Sequence, residues 1–111
     1  MASKFALKKT GKGKFMFNLK AANGQVILTS QLYADKHGAL KGIQSARKNA
    51  PKDSNFERRT AGTGEPYFVL MAANKEIIGR SEMYASAGNV EKGIASVRKN
   101  APSAALEDQT G

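Results

Sequence analysis

"SARK" at residues 45–48 and "SVRK" at 96–99 each place a lysine three positions after a serine. On a helix, residues three apart lie side by side. A lysine held against a serine hydroxyl could take its proton and turn it into a nucleophile. Hydrolases that work this way add further motifs and an oxyanion hole, and this sequence displays neither. Lys41, Ser45 and Lys48 share one stripe away from the core, as do Lys92, Ser96 and Lys99, and such a stripe reads as the solvated side of a helix. No catalytic residue is assigned, and the chain is read as non-enzymatic.

Other reactive groups are sparse. The one histidine, His37, has Gly88 at the matching place in the second half of the chain. Metal sites need clustered His, Cys or carboxylate, so neither a metal nor a cofactor is expected. Cysteine is absent, which excludes disulfides and thiol chemistry and agrees with a cytoplasmic protein. Glu65, Glu76, Glu82 and Glu91 match Lys14, Gln25, Gln31 and Leu40 in the first half, so no acid–base pair is duplicated. "GKGK" and "GTGE" are turns with no helix immediately behind them and fit no phosphate-loop pattern. Tyr33 and Tyr84 stand just before the helices. They could stack on a base, but with few aromatic residues in the chain a core role is favoured.

Charge is the stronger signal. The formal net charge is +9 over 111 residues. Residues 1–51 carry ten Lys/Arg against one acid, Asp35, whereas residues 52–111 carry eight against eight. A one-sided positive field attracts polyanions. Lys8, Lys9, Lys12, Lys14 and Lys20 fall on adjacent strands and their turn, and are the candidate polyanion-binding residues. No apolar run approaches the 18 residues of a membrane span, and Met1 to Thr10 holds no signal-peptide core.

These side chains are positioned by a duplicated unit. "KGIQSARKNAP" at 41–51 returns as "KGIASVRKNAP" at 92–102, and sliding the chain by 51 aligns 5–51 with 56–102 without a gap. Twenty-one of those 47 positions are identical. Within each unit, "KFALKK" (4–9) reads as a short strand, and "KFMFNLKA" (14–21) alternates with the period of a half-buried strand. "NG" at 23–24 signals a hairpin through two residues that tolerate positive φ, and "QVILTS" (25–30) returns. Then Ala39, Ile43, Ala46 and Ala50 form a helical stripe, as do Val90, Ile94, Val97 and Ala101. Asp35 and Ser86 suit the N-caps, and Pro51 and Pro102 stop the helices. Gly42 and Gly93 inside the helices point to a close approach of backbone to the sheet or the partner helix.

The expected fold is α+β: two tandem βββα repeats, residues 5–51 and 56–102, in a single pseudo-twofold domain spanning 1–111, with 103–111 as a tail. Two helices cover one face of an antiparallel sheet. The helix-facing set is Phe17, Leu19, Phe68 and Leu70. "NFERRT" (55–60) begins the second unit and could also end the first, so a strand shared or exchanged between the halves is expected.

The string "AANGQVILTSQLYADKHGALKGIQSARKNAP" and its second version resemble the YegP-like family of small bacterial proteins, whose members carry tandem strand-strand-strand-helix repeats. The resemblance covers residues 5–102. It implies two repeats in a single sheet with their C-terminal strands exchanged, and it supplies no catalytic residues. The chain departs from the pattern at Lys75, where the turn glycine is missing, and at His37-Gly38.

Two binding roles are open. One is a module for a polyanion such as nucleic acid, through the basic first half. The other is a protein-interaction or structural module, with Tyr67, Val69 and Met71 as an exposed apolar row on the uncovered sheet face. A monomer containing an internal pseudo-dimer is expected in either case.

Overall fold

The computed structural model describes residues 3–110, and the stretches of period two in it are strands. The first half builds β1 (Lys4–Lys9), β2 (Phe15–Lys20), β3 (Val26–Ser30) and helix α1 (Lys36–Asn49). The second repeats them as β4 (Phe56–Thr60), β5 (Pro66–Met71), β6 (Ile77–Arg80) and α2 (Ala87–Asn100). A last strand, β7 (Ala105–Asp108), forms within the stretch read from sequence as a tail. The seven strands make one sheet in the order β4-β5-β6-β3-β2-β1-β7. Paired neighbours are antiparallel, except that β7 runs parallel to β1.

Both helices lie on one face and share a single core. Their stripes, Ala39/Ile43/Ala46 and Val90/Ile94/Val97, are buried together with Phe17, Leu19, Phe68 and Leu70, as the alternation requires. α1 packs on β2 and reaches β5 and β6, while α2 packs on β5 and reaches β3. Each helix therefore covers strands of the other half. Aromatic rings fill the two halves alike. Phe5 meets Phe17 edge-on at 5.6 Å, and Tyr33 stacks on Phe17 at 6.3 Å. Phe56, Phe68 and Tyr84 repeat this at 5.7 and 6.2 Å.

The tyrosines explain the helical glycines. A Cβ at Gly42 would lie 2.7 Å from Tyr33 Cζ and 3.0 Å from Phe17, and one at Gly93 would lie 2.9 Å from Tyr84 Cζ and 3.0 Å from Phe68. The close approach inferred from sequence is thus between the helix backbone and these rings. Burial pushes both tyrosine hydroxyls above their ordinary pKa, with Glu76 adding to the effect at Tyr33 and Glu82 at Tyr84. The caps also stand where the sequence puts them. Asp35 accepts a hydrogen bond from the Gly38 amide at 2.7 Å, and Ser86 accepts one from the Asn89 amide at 3.2 Å.

The hairpin differs in detail from expectation. Gly24 has φ +84, but Asn23 is not among the residues of positive φ. Asn23 instead accepts a hydrogen bond from the Gln25 amide through its side-chain oxygen at 3.0 Å. Asn74 does the same for Glu76, which is why "AAN" recurs without its glycine. Lys75 takes the left-handed conformation at φ 73, at a cost of about 1–2 kcal/mol for an L residue.

The halves meet at the centre of the sheet, where β3 pairs antiparallel with β6. Thr29 pairs with Arg80, its own counterpart in the 51-residue shift, so the pseudo-twofold axis passes between them. Gly79, the counterpart of Leu28, stands opposite Ser30. A Cβ at Gly79 would stand 2.8 Å from the Thr29 carbonyl oxygen and 3.1 Å from Leu28 Cγ.

Symmetry is broken at the sheet edges. β7 covers the outer edge of β1, held by Lys4–Glu107 at 2.6 Å and by Lys36–Asp108 from the start of α1. The matching edge, on β4, ends the sheet. Where the covered half has Leu7 and Leu40, the uncovered half has Arg58 and Glu91. They form a two-pronged ion pair at 2.8 and 2.7 Å, with Asp53 adding a third contact to Arg58 at 3.0 Å. Arg58 holds the Glu91 and Asp53 carboxyls below the usual range.

Three substitutions separate these effects by their urea midpoints. Gly79→Ala meets backbone that cannot yield and is expected to destabilise the chain by about 1–3 kcal/mol. Gly88→Ala, whose Cβ would meet only Ser86 Oγ at 3.8 Å, is expected to be neutral or stabilising by up to about 1 kcal/mol. Lys75→Gly relieves the left-handed turn and is expected to stabilise by about 1 kcal/mol. A neutral Gly79→Ala would contradict the pairing described above.

A pH titration tests how β7 is held. Glu107 is held below its ordinary pKa first by Lys4, and Asp108 below its own by Lys36. Depressed carboxylates stabilise the folded state above the unfolded pKa, near 4. They lose that contribution as pH falls through the folded values. Amide signals of Leu106 and Glu107 are therefore expected to report loosening of β7 between about pH 4 and 2, before the β2 signals change. A β7 equally tight at both ends of that window would refute the tether.

Candidate polyanion-binding face

With the helices on one side, every second strand residue faces the other way. The cross-strand register fixes which residues these are. A single row, Glu57–Val69–Arg80–Thr29–Asn18–Ala6–Glu107, runs across all seven strands. Its middle is quiet: Ala6, Asn18 and Val69 are buried, and the Asn18 amide donates to Thr29 Oγ1 at 3.0 Å. Beside it lie the opposed pairs Lys4–Lys20, Lys8–Met16, Arg59–Tyr67 and Met71–Ile77.

The five candidate lysines are not one cluster. Lys8 and Lys20 share the open face but lie near opposite ends of the strands, roughly 13 Å apart at the usual rise per residue. Lys20 stands opposite Lys4, and Glu107 bonds Lys4 and also feels the Lys20 charge. Lys12 and Lys14 sit in the turn between β1 and β2. Lys9 belongs to the other face, with its ammonium 5.9 Å from the Phe15 ring centroid.

The apolar row is corrected by burial. Val69 is 2% and Met71 8% exposed, so Tyr67/Val69/Met71 is not the open patch its sequence suggests. Val69 lies between Glu57 and Arg80, whose long side chains can cover a β-branched neighbour. Tyr67 alone of the three is half-buried rather than buried.

Arg59 and Arg80 join the face without having been singled out in the sequence. Arg59 is the 51-residue counterpart of Lys8, so matching basic positions between the repeats would have found it. Arg80 matches Thr29 and becomes visible only through the register. Together Lys4, Lys8, Lys20, Arg59 and Arg80 outnumber Glu57 and Glu107. Glu57 pairs with Arg59 and holds that guanidinium firmly charged.

The serines of the Ser-x-x-Lys strings are engaged elsewhere. Asn49 donates to the carbonyl and hydroxyl of Ser45 at 2.9 and 3.2 Å, and Asn100 does the same to Ser96 at 2.8 and 3.2 Å. His37 is exposed at the start of α1. Among the described residues no three His, Cys, Asp or Glu side chains gather as a metal site, and no helix is long and apolar enough to cross a membrane.

The repeat frame decides the family. The sequence matches the "Domain of unknown function (DUF1508)" over residues 11–57 and again over 62–108. The chain belongs to the DUF1508 family. In the family frame repeat one closes on the first residues of β4 and repeat two closes on β7, while β1 precedes both. β4 pairs with β5 of repeat two, and β7 pairs with β1. The strand that closes repeat one is thus paired within repeat two. Among DUF1508 relatives, UPF0339 protein PA0329 of Pseudomonas aeruginosa is 50% identical over 110 residues, covering 99% of this chain and 100% of its own. The solution NMR structure of YegP from E. coli, a protein of unknown function, superimposes with a TM-score of 0.94 at 50% identity, covering 100% of this chain and 96% of that one. UPF0339 protein SO3888 from Shewanella oneidensis follows at 0.92 and 43% identity, covering 99% and 93%. The DUF1508 fold is thereby established, and none of these descriptions assigns it an activity.

Proposed function

We propose that this chain is a non-enzymatic module that binds a polyanion, nucleic acid first among them, across the open face of its sheet. The observation that carries the reading is the sign of that face. Helices occupy one side of the sheet, and the other presents Lys4, Lys8, Lys20, Arg59 and Arg80 against Glu57 and Glu107. The basic first half thus gains two arginines from the second half on the same surface. Lysine and arginine contacts to phosphate are largely blind to sequence and weaken with salt, because binding releases counterions. A non-enzymatic role is supported by the engagement of Ser45 and Ser96 with asparagine side chains. The protein-interaction reading loses its main support with the burial of Val69 and Met71.

An electrophoretic shift with mixed single- and double-stranded nucleic acid, at 50 and 200 mM salt, is the test. Binding is expected at the lower salt and is expected to fall by at least tenfold at the higher, in line with about three neutralised phosphates. Lys8→Glu and Lys20→Glu, both at half-buried strand positions, are each expected to weaken it further. Absence of any shift at 50 mM salt would rule the proposal out.

A further inference from the structure

On the open face, over the second half, the sheet is indented. A cleft of about 310 Å³ is lined by Thr29, Gln31, Arg59, Tyr67, Ile77 and Arg80, with Val69 also in the lining. Its volume is at the lower end of the range for small-molecule sites, about the bulk of a single nucleotide. The lining combines three kinds of group. Arg80 is exposed and, among the described residues, has no carboxylate within ion-pair distance. Tyr67 supplies an aromatic ring beside the Arg59 guanidinium. Gln31 and Thr29 supply neutral donors and acceptors, and Leu32 at the rim is 62% exposed.

The pseudo-twofold axis offers an internal comparison. The 51-residue shift carries Tyr67 onto Met16, Val69 onto Asn18, Gln31 onto Glu82 and Arg80 onto Thr29. At the equivalent place in the first half the ring is therefore lost and a carboxylate that would repel phosphate takes the place of the amide, while Thr29 and Arg80, which meet on the axis, exchange places. The two wings share a cation, Lys8 or Arg59, and a serine, Ser30 or Ser81. They differ in the ring and the amide, and the second half carries the groups that suit an aromatic anion.

We infer that this cleft takes one unstacked nucleotide of a single strand, its phosphate on Arg80 and its base against Tyr67. The inference rests on the polyanion reading above and adds a strand preference to it. Phosphates elsewhere on the strand meet Lys8, Lys20 and Arg59 without regard to sequence. The base must leave its stack to enter the cleft, so a duplex cannot fill it without being opened. Stacking on an aromatic side chain is sequence-tolerant, and the amide of Gln31 is placed to add a hydrogen bond to a base edge.

The test uses the full chain and two fluorescent probes, a 12-nucleotide single strand and the duplex of the same sequence, read by anisotropy at low salt. The wild-type protein is expected to favour the single strand. Tyr67→Met, Arg80→Thr and Gln31→Glu each install the residue that the other half already carries, so the fold has tolerated it in an equivalent place. Tyr67→Met is expected to cut the ratio of single-strand to duplex affinity by about tenfold, the scale of one base–aromatic stack. Gln31→Glu, at an exposed position, is expected to lower the same ratio and guards against a variant that fails to fold. Equal affinity for both probes, or a ratio that none of the three variants moves, would overturn the cleft while leaving the basic face standing. Failure to bind either probe would overturn the basic face and the cleft together.

Discussion

The pairing of β3 with β6 governs this molecule. Two halves of near-identical pattern close one sheet at a line where each strand meets its own equivalent, and the backbone there leaves no room for a Cβ at Gly79, which would crowd the Thr29 carbonyl oxygen and Leu28. Across this joined sheet α1 packs on β5 and β6 as well as β2, and α2 reaches β3. Neither half could bury its helical stripe as fully by itself. A unit of about fifty residues buries too little surface to be safely stable on its own, and the joined sheet supplies the missing cover.

The second organising feature is the unequal treatment of the edges. An uncovered strand offers unpaired backbone groups to any passing chain. At β1 the problem is removed by β7, and the interior can stay apolar through Leu7 and Leu40. At β4 no strand arrives, and the same two places hold Arg58 and Glu91. Charge on a terminal strand discourages further pairing, and the ion pair also ties the edge to α2. The difference between the halves is therefore local and has a cause: each position is apolar where the chain covers it and ionic where it does not.

Much of this was legible in the residues alone. The 51-residue repeat gave the element order, because a gapless alignment of 47 positions, 21 of them identical, leaves little freedom in how the units can differ. Alternation picked out Phe17, Leu19, Phe68 and Leu70 as core, and the caps at Asp35 and Ser86 were readable from side-chain chemistry. β7 was not, since "ALED" has no alternating apolar pattern and draws its place from β1. The face was only half legible. Lys8 and Lys20 could be named, but Lys9 lies on the opposite side of the same strand, and Arg80 joins them through a register between halves that no local pattern encodes. The burial of Val69 and Met71 was hidden for a similar reason, because it depends on what stands beside them in neighbouring strands.

The pairing of Thr29 with Arg80 carries a lesson about covalent fusion. Were two identical single-unit chains to associate through this sheet, the residue at that point would face a copy of itself, and arginine would be set against arginine. Like charges placed directly opposite repel, so a homodimer would be held to neutral choices there. Joining the units in one polypeptide lifts that restriction, and a cation can stand on one side of the axis with a hydroxyl on the other. Gene fusion here opens to variation the one place that strict self-association would forbid from changing.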